Sequence, residues 1–268
     1  MDGRKEVNEL ALRYKEYGNK NAPLMLFLHG GGVSDWMWDK QIEHFTDYQR
    51  IVPILPEHGL DNHEVDFSIQ GSAEEVIQLI EEKANGRKVI VIGFSLGSQV
   101  IIQMLSMKPN LIDLAIINSA LVRPMPYAKH FIKPVIKCSM PLIKNRFFSR
   151  LQAKTLYLTE DYFERYYEES CQVNLGTLIR VLEENMSFEI PKGFNNATTK
   201  ILVTVGEKEK AIMRKSAKDI VASNSNCTGI ILPKVGHGIQ TAQPDFFNQL
   251  VKAWVEKNQL PKECNLVR

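Results

Sequence analysis

A serine between two glycines is the clearest chemical signal in this chain, within Gly93-Phe94-Ser95-Leu96-Gly97. The apolar run 89–92 precedes it, and apolar residues at helical spacing follow it from Val100. This context predicts a buried strand, a tight turn and a helix. A serine at such a turn has strained backbone and presents its hydroxyl above the sheet. The pattern therefore predicts a nucleophile at Ser95.

A serine nucleophile needs a base to remove its proton, and the base needs a third group to fix its tautomer. His237 lies between two glycines in a predicted loop, where packing in a core would not explain it. Glu207 and Glu209 both follow the predicted strand 201–205 and are alternative acids. The chain thus has the order serine, acid, histidine that accompanies this type of serine turn.

Gly30-Gly31-Gly32 forms a third suggestive stretch, directly after the predicted strand 24–28 and His29. The serine, the two glutamates, the histidine and these glycines all follow the carboxyl ends of predicted strands. In an open parallel sheet, ligands bind at that edge. The stretch lacks Gly-x-Gly-x-x-Gly and no Lys-Ser/Thr follows it, so we do not expect it to hold a nucleotide phosphate.

The elements that must position these residues alternate between strands and helices over most of the chain. Such alternation predicts an α/β fold with a mostly parallel sheet flanked by helices. An edge strand is expected at 10–14, and a helix capped by Ser72 with Glu75 is expected after the loop 56–71. The alternation stops after residue 120, where four prolines fall within 21 residues. We therefore expect a core of 1–120 and 199–268 with an inserted helical cap at 121–198.

These features together resemble the α/β-hydrolase superfamily, in its capped serine esterase and lipase-like branch. The resemblance covers about 24–118 and 199–258. The motifs that carry it are His29-Gly30, Gly93-Phe94-Ser95-Leu96-Gly97, Gly206-Glu207-Lys208-Glu209 and Gly236-His237-Gly238.

The resemblance implies a role for each matching residue. Ser95 would be the nucleophile and His237 the base, and the backbone N–H groups of Gly31 and Leu96 would form the oxyanion hole. Glu209 stands where the family usually has aspartate, and Glu207 remains the alternative acid. Candidate substrate contacts flank these positions: Gly32, Trp36, Trp38 and Phe94.

Composition limits the other classes of function. The 268 residues carry a net charge of +2, so no basic excess is available for a dedicated nucleic-acid binder. No apolar run approaches the roughly 18 residues of a membrane span. The four cysteines are far apart and without metal-site spacing, so we expect reduced thiols in a cytoplasmic protein, with no metal and no cofactor.

The first part of the expected cap has an uneven charge distribution. Residues 121–154 contain eight Lys or Arg and no Asp or Glu, interleaved with apolar residues. Amphipathic lid helices with solvated outer faces would account for this pattern. The alternative explanation is a lid that attracts acidic amphiphiles or makes weak contact with an anionic membrane surface.

The expected activity is hydrolysis of a small or medium-sized carboxylic ester through an acyl-enzyme. A thioesterase, acyltransferase, peptidase or carbon–carbon hydrolase uses the same serine chemistry and remains open. So does a ligand-binding or signalling protein with slow turnover. Epoxide hydrolase and haloalkane dehalogenase chemistry is disfavoured, because it needs a carboxylate where Ser95 stands.

Overall fold

The chain is described here by a computed structural model that covers residues 12–60, 65–125, 128–261 and 264–267. One eight-stranded sheet runs through the described residues. Its strands are β1 Arg13–Tyr17, β2 Leu24–Leu28, β3 Gln49–Ile54, β4 Val89–Phe94, β5 Leu114–Asn118, β6 Lys200–Gly206, β7 Cys227–Leu232 and β8 Asn265–Leu266. The helices are α1 Asp39–His44, α2 Ile69–Lys83, α3 Leu96–Met107, α4 Ala128–Ile143, α5 Arg146–Thr155, α6 Glu160–Gln172, α7 Leu175–Ser187, α8 Ala211–Ser223, α9 Ile239–Ala242 and α10 Pro244–Lys257.

The sheet has the strand order β1-β3-β2-β4-β5-β6-β7-β8. Strands β3 to β7 pair in parallel, and only the edge strands β1 and β8 are antiparallel to their neighbours among the described residues. The carboxyl ends of the parallel strands therefore lie along one edge. The α/β fold expected from the sequence is confirmed.

Alternate residues of each central strand supply two apolar layers, one on each face of the sheet. On β2, Leu24, Leu26 and Leu28 join the layer that contains residues of α2, α3 and α8. Met25 and Phe27 join the opposite layer, which includes residues of α1 and α10. Because both faces are covered by helices, the central strands are apolar throughout.

Four helices, α4 to α7, lie between β5 and β6 in the chain. We refer to residues 128–187 as the helical insertion. It is joined to the core by polar contacts, including a partly buried hydrogen bond of 2.9 Å from the Gln99 amide on α3 to the Asn185 carbonyl on α7. Backbone contact continues at Met125, whose N–H donates to the Met186 carbonyl. These helices occupy the segment in which the sequence predicts no buried strand.

Some local predictions were wrong or displaced. Helix α2 begins at Ile69, four residues before the start expected from a cap at Ser72, because the Ser68 side chain accepts a hydrogen bond from the Gly71 N–H and caps it. Ser72 is buried inside that helix. The expected edge strand exists but spans Arg13–Tyr17, and residues 10 and 11 of that prediction lie outside the described residues. The short elements α9 and β8 were not expected from the sequence.

Candidate active site

Ser95 forms the turn between β4 and α3 with a positive φ of 51° and a ψ of −110°, outside the regions that residues with a side chain ordinarily adopt. This conformation is costly for a residue with a side chain, and it persists because the strand and helix on either side are fixed by packing. Ser95 is partly exposed although Phe94 and Leu96 beside it are buried. The turn therefore presents the serine hydroxyl and hides its neighbours.

The glycines of the motif allow the close packing that this turn requires. A Cβ on Gly93 would lie 2.8 Å from the carbonyl carbon of Gly97. A Cβ on Gly97 would lie 2.6 Å from the His29 carbonyl oxygen, at the end of β2. Neither distance is possible for a real side chain, so both positions need glycine.

His237 and Glu209 form a hydrogen-bonded pair at the same edge of the sheet. The Nδ1 atom of His237 lies 2.9 Å from Oε2 of Glu209, whose side chain is buried, while the imidazole is one-third exposed. The other carboxylate oxygen accepts hydrogen bonds from the Ser119 hydroxyl at 2.6 Å and the Gly206 N–H at 2.9 Å. This arrangement fixes the carboxylate and orients the ring.

Burial alone would raise the pKa of Glu209, because a carboxylate loses hydration in the interior. The bond and charge of His237, with the donors from Ser119 and Gly206, outweigh that effect and hold the pKa below its ordinary value. Glu209 is therefore ionised at neutral pH. An ionised partner favours the Nδ1–H tautomer of His237, which leaves Nε2 as the proton acceptor.

Glu207, the alternative acid, points elsewhere. It is exposed, and its Oε2 accepts a hydrogen bond from the Lys234 N–H at 2.8 Å. Of the two glutamates after β6, the structure brings Glu209 against the histidine.

The ring of Phe94 connects the histidine to the serine turn. Its centroid lies 4.7 Å from that of His237, and Phe94 immediately precedes Ser95. Because Phe94 is buried and fixed by β4, it packs the imidazole against the turn. Ser95, His237 and Glu209 thus lie on neighbouring loops at one sheet edge.

The two predicted oxyanion donors also lie close together. Leu96 is the first residue of α3, so its N–H has no acceptor within the helix. A Cβ on Gly31 would lie 3.6 Å from the side chain of Leu96 and 3.7 Å from that of Val181 on α7. The loop after β2 therefore runs beside the start of α3, where a helix N-terminus favours negative charge.

The four candidate substrate contacts occupy different environments. Gly32 lines a cavity between the core and the helical insertion. Trp36 is buried and stacks on Tyr162 of α6, with ring centroids 5.7 Å apart. Trp38 is fully buried in the core near Phe27, so its packing accounts for it without a ligand. Phe94 packs on His237 as described.

The cavity beside Gly32 has a volume of about 280 Å³ and is mostly apolar. Its walls come from the loops after β2 and β3 and from all four helices of the insertion. The lining residues are Gly32, Val33, Glu57, His58, Gly59, Ile136, Ser139, Ile143, Phe148, Gln152, Tyr166, Glu169, Ser170, Val173, Leu178 and Leu182.

Two contributors to the site could not be found from sequence. Ser119 follows β5 in a left-handed conformation, and its hydroxyl reaches Glu209 across 90 residues of chain. Tyr157, after α5, accepts a hydrogen bond from the Gly236 N–H beside the histidine. Each is a single polar residue whose role depends on a distant partner, so no local pattern marks it.

Within the described ranges, no group of three or more His, Cys, Asp or Glu side chains is arranged to hold a metal ion. No described helix is both long and apolar enough to span a membrane.

Comparison with known proteins agrees with this architecture. Residues 25–250 match the sequence model of the Alpha/beta hydrolase family. The chain belongs to the alpha/beta hydrolase family. A relative of this chain, a Haemophilus influenzae protein named "Putative esterase/lipase", is 25% identical over 254 residues, which cover 89% of this chain and 85% of the relative.

Solved structures share the fold of this alpha/beta hydrolase. A thermophilic esterase from Thermogutta terrifontis superposes with a TM-score of 0.75 at 18% identity, covering 92% of this chain and 93% of that one. A meta-cleavage product hydrolase from Pseudomonas fluorescens gives a TM-score of 0.74 at 15% identity, covering 92% and 95%. The superfamily expected from the sequence motifs is confirmed.

Proposed function

We propose that this alpha/beta hydrolase is a serine esterase that cleaves small or medium-sized carboxylic esters through an acyl-enzyme. The hydrogen-bonded Glu209–His237 pair carries the proposal, because its imidazole packs against Phe94, directly beside the strained Ser95 turn. A buried ionised acid, an oriented imidazole and a presented hydroxyl are the parts that serine acyl transfer needs. The esterase/lipase name of the Haemophilus relative supports the same activity.

In the acylation step, the Ser95 oxygen attacks the ester carbonyl carbon while Nε2 of His237 accepts the hydroxyl proton. Glu209 stabilises the imidazolium that forms. The carbonyl oxygen becomes an oxyanion between the N–H groups of Gly31 and Leu96, and such donors contribute about 3–4 kcal/mol each to transition-state stabilisation. The C–O bond then breaks, and His237 returns its proton to the departing alcohol.

Deacylation repeats these roles with water. His237 accepts a proton from water, whose oxygen attacks the acyl carbon and regenerates the oxyanion. Collapse of this intermediate breaks the bond to Ser95, which recovers its proton from His237. The products are the free acid and the resting enzyme.

We further propose that the helical insertion acts as the cap of this site. Val181 of α7 lies beside Gly31, and residues of α4 to α7 line the cavity next to Gly32. The insertion would then define which acyl or alcohol group fits, while the loops at the sheet edge supply the chemistry.

The deciding experiment uses a fluorophosphonate probe and a panel of p-nitrophenyl esters of increasing acyl length. We expect covalent labelling and multiple turnover by the wild type, and loss of both in Ser95→Ala. Ser225→Ala, at an exposed turn position, is the matched control and should behave as wild type. His237→Ala should lower the rate roughly 10⁴-fold or more, since serine and histidine act as one unit.

Labelling of the Ser95→Ala variant equal to wild type would refute the nucleophile assignment. A single stoichiometric burst without turnover would support a ligand-binding or signalling protein instead. A loss under tenfold in His237→Ala would mean that another base serves.

A further inference from the structure

The cavity beside Gly32 has an unusual polar composition for an otherwise apolar space. Its volume of about 280 Å³ is near the lower end of small-molecule sites, which are roughly 300–1,000 Å³. Two carboxylates, those of Glu57 and Glu169, belong to its walls, and no lysine or arginine is among the described residues that line it.

The carboxylate of Glu57 is fully engaged in holding the insertion to the core. It accepts hydrogen bonds from the Phe67 N–H, the Thr177 hydroxyl and the Arg180 guanidinium, at 2.7 to 3.1 Å. Arg180 also pairs with Asp66 at 2.9 Å. The positive charge of Arg180 is therefore shared by two carboxylates and is not directed at a ligand.

Glu169 of α6 is engaged differently. It is 9% exposed, and its Oε1 accepts a hydrogen bond of 2.5 Å from the Ser34 hydroxyl. Ser34 is neutral, so this bond supplies no compensating charge. Burial raises the pKa of Glu169, and the Ser34 and Trp36 side chains, with the charge of Arg165 outside the cavity, only partly oppose that effect. A second anion in the same cavity would face this carboxylate, and the described lining residues include no lysine or arginine to offset the two negative charges.

We propose that the cavity receives the acyl group of uncharged esters, and that Glu169 excludes acyl groups that end in a carboxylate. This inference rests on the proposed function for the reaction but assigns its substrate class and a specificity-determining residue. The apolar walls of α4 and α7 favour a hydrocarbon chain. An acyl carboxylate would lose its hydration there, meet no lysine or arginine among the described lining residues and be repelled by Glu169.

The test compares two esters of the same chain length, p-nitrophenyl hexanoate and the p-nitrophenyl monoester of hexanedioic acid, at pH 8. We expect wild-type kcat/KM to favour the uncharged ester about 100-fold or more, because the buried anion has no partner. In Glu169→Gln, the ratio between the two esters should fall roughly 10-fold, since the repulsion is removed. A ratio is used because it cancels any general loss of activity in the variant.

Glu168→Gln is the matched control: it makes the same charge change on the same helix, at an exposed position outside the cavity. Its ester ratio should equal that of wild type. Should Glu169→Gln fail to fold, Val173→Lys places a cation in the partly exposed wall of the cavity and should lower the ratio as well. Equal kcat/KM for the two esters in wild type, or an equal change of ratio in both glutamate variants, would overturn the proposal.

Binding separates a failure of this inference from a failure of the proposed function. If wild type hydrolyses neither ester, calorimetry with hexanamide and with the monoamide of hexanedioic acid still measures the cavity's preference. Binding of the neutral amide at least tenfold tighter would support exclusion of anions by the cavity without esterase activity. Equal or tighter binding of the anionic amide would refute it.

Discussion

The hydroxyl oxygen of Tyr157 accepts a hydrogen bond from the backbone N–H of Gly236, 3.0 Å away. Gly236 immediately precedes His237, so a residue just after α5 holds the loop that carries the imidazole. A second contact fixes the segment that carries Tyr157, because the carbonyl of the adjacent Leu156 accepts a hydrogen bond of 2.7 Å from the Thr241 hydroxyl. Tyr157 itself has a positive φ of 56°. The helical insertion thus contacts the histidine loop from outside the core.

We expect Tyr157→Phe to lower kcat about 5- to 10-fold with little change in KM. The hydrogen bond contributes about 1 kcal/mol, and its loss lets the loop carry His237 away from its reactive position. Steady-state kinetics on a short-chain p-nitrophenyl ester measure the effect.

Tyr167→Phe is the control for Tyr157→Phe. It removes a comparable bond, of 2.8 Å to the Lys144 carbonyl, within the insertion but away from the histidine loop. Its kcat should be that of wild type. Equal losses in the two variants would mean that Tyr157 acts only through the stability of the insertion.

Glu209 and Glu207 provide a matched pair on one loop. Glu209→Gln keeps the shape of the side chain but removes the charge that fixes the His237 tautomer, so we expect kcat to fall about 10³- to 10⁴-fold. Glu207→Gln should stay within a few-fold of wild type, because the exposed Glu207 side chain contacts Lys234 rather than the histidine. Stopped-flow measurement of the acylation rate compares the two, with melting temperature as the check on folding.

Reversed effects in these two variants would make Glu207 the acid. Unchanged acylation in both would mean that Ser95 and His237 work without a carboxylate from this loop.

Much of the fold could be predicted because the central strands are buried on both faces. Runs such as 89–92 are apolar throughout, and the chemically distinctive residues follow them at one sheet edge. The strained turn at Ser95 could be predicted for the same reason, since its glycines and flanking elements are local in sequence. The pairing of Glu209 with His237 follows once the parallel order of β6 and β7 is given.

The remaining features depend on contacts between distant segments. The local sequence allows either Ser68 or Ser72 to cap α2. Ser68 does so in the structure, because Ser72 is buried in the interior. Glu57 and Glu169 each occur in polar sequence that suggests a solvated surface. Their burial arises only when the helical insertion packs over the loops after β2 and β3.

Glu57 should contribute to stability through its three donors. The substitution Glu57→Gln removes the carboxylate charge and leaves Asp66 as the one acidic partner of Arg180 among the described residues. We therefore expect the free energy of unfolding at pH 7 to fall by about 2 kcal/mol. Urea denaturation followed by tryptophan fluorescence measures this. Asp66→Asn removes the exposed partner of the same arginine and should cost less than about 1 kcal/mol.

The contribution of Glu57 should also depend on pH. Burial alone would raise the pKa of Glu57, but Arg180, Phe67 and Thr177 lower it from 4.5 to about 2. A carboxyl whose pKa is lower in the folded state stabilises that state fully above its unfolded pKa, and the stabilisation is lost as pH falls through the folded pKa. The difference between wild type and Glu57→Gln should therefore shrink from about pH 4.5 towards pH 2. A difference that is constant across this range would contradict the assigned cause.

The outer side of the helical insertion exposes apolar residues next to cationic ones. Phe131, Val135 and Leu142 of α4 are 66%, 57% and 47% exposed, and Phe147 of α5 is 74% exposed. On α4, the first three recur at positions i, i+4 and i+11, which places them on one face of the helix. Exposed lysines on these two helices and the turn between them are Lys133, Lys137, Lys144 and Lys154.

This combination predicts weak binding to anionic membrane surfaces, which the basic sequence of 121–154 already suggested. We expect co-sedimentation with phosphatidylglycerol vesicles and little with phosphatidylcholine, weakening steeply as salt rises from 0.05 to 0.5 M because the Debye length shortens, to about 10 Å at 0.1 M. The double variant Lys137→Gln and Lys144→Gln should bind about 30-fold less, as each surface lysine contributes about 1 kcal/mol. The pair Lys215→Gln and Lys218→Gln on α8 makes the same charge change outside the insertion and should leave binding unchanged. Absence of binding at low salt, or binding that salt does not alter, would assign the basic residues to the solvated outer face of a lid.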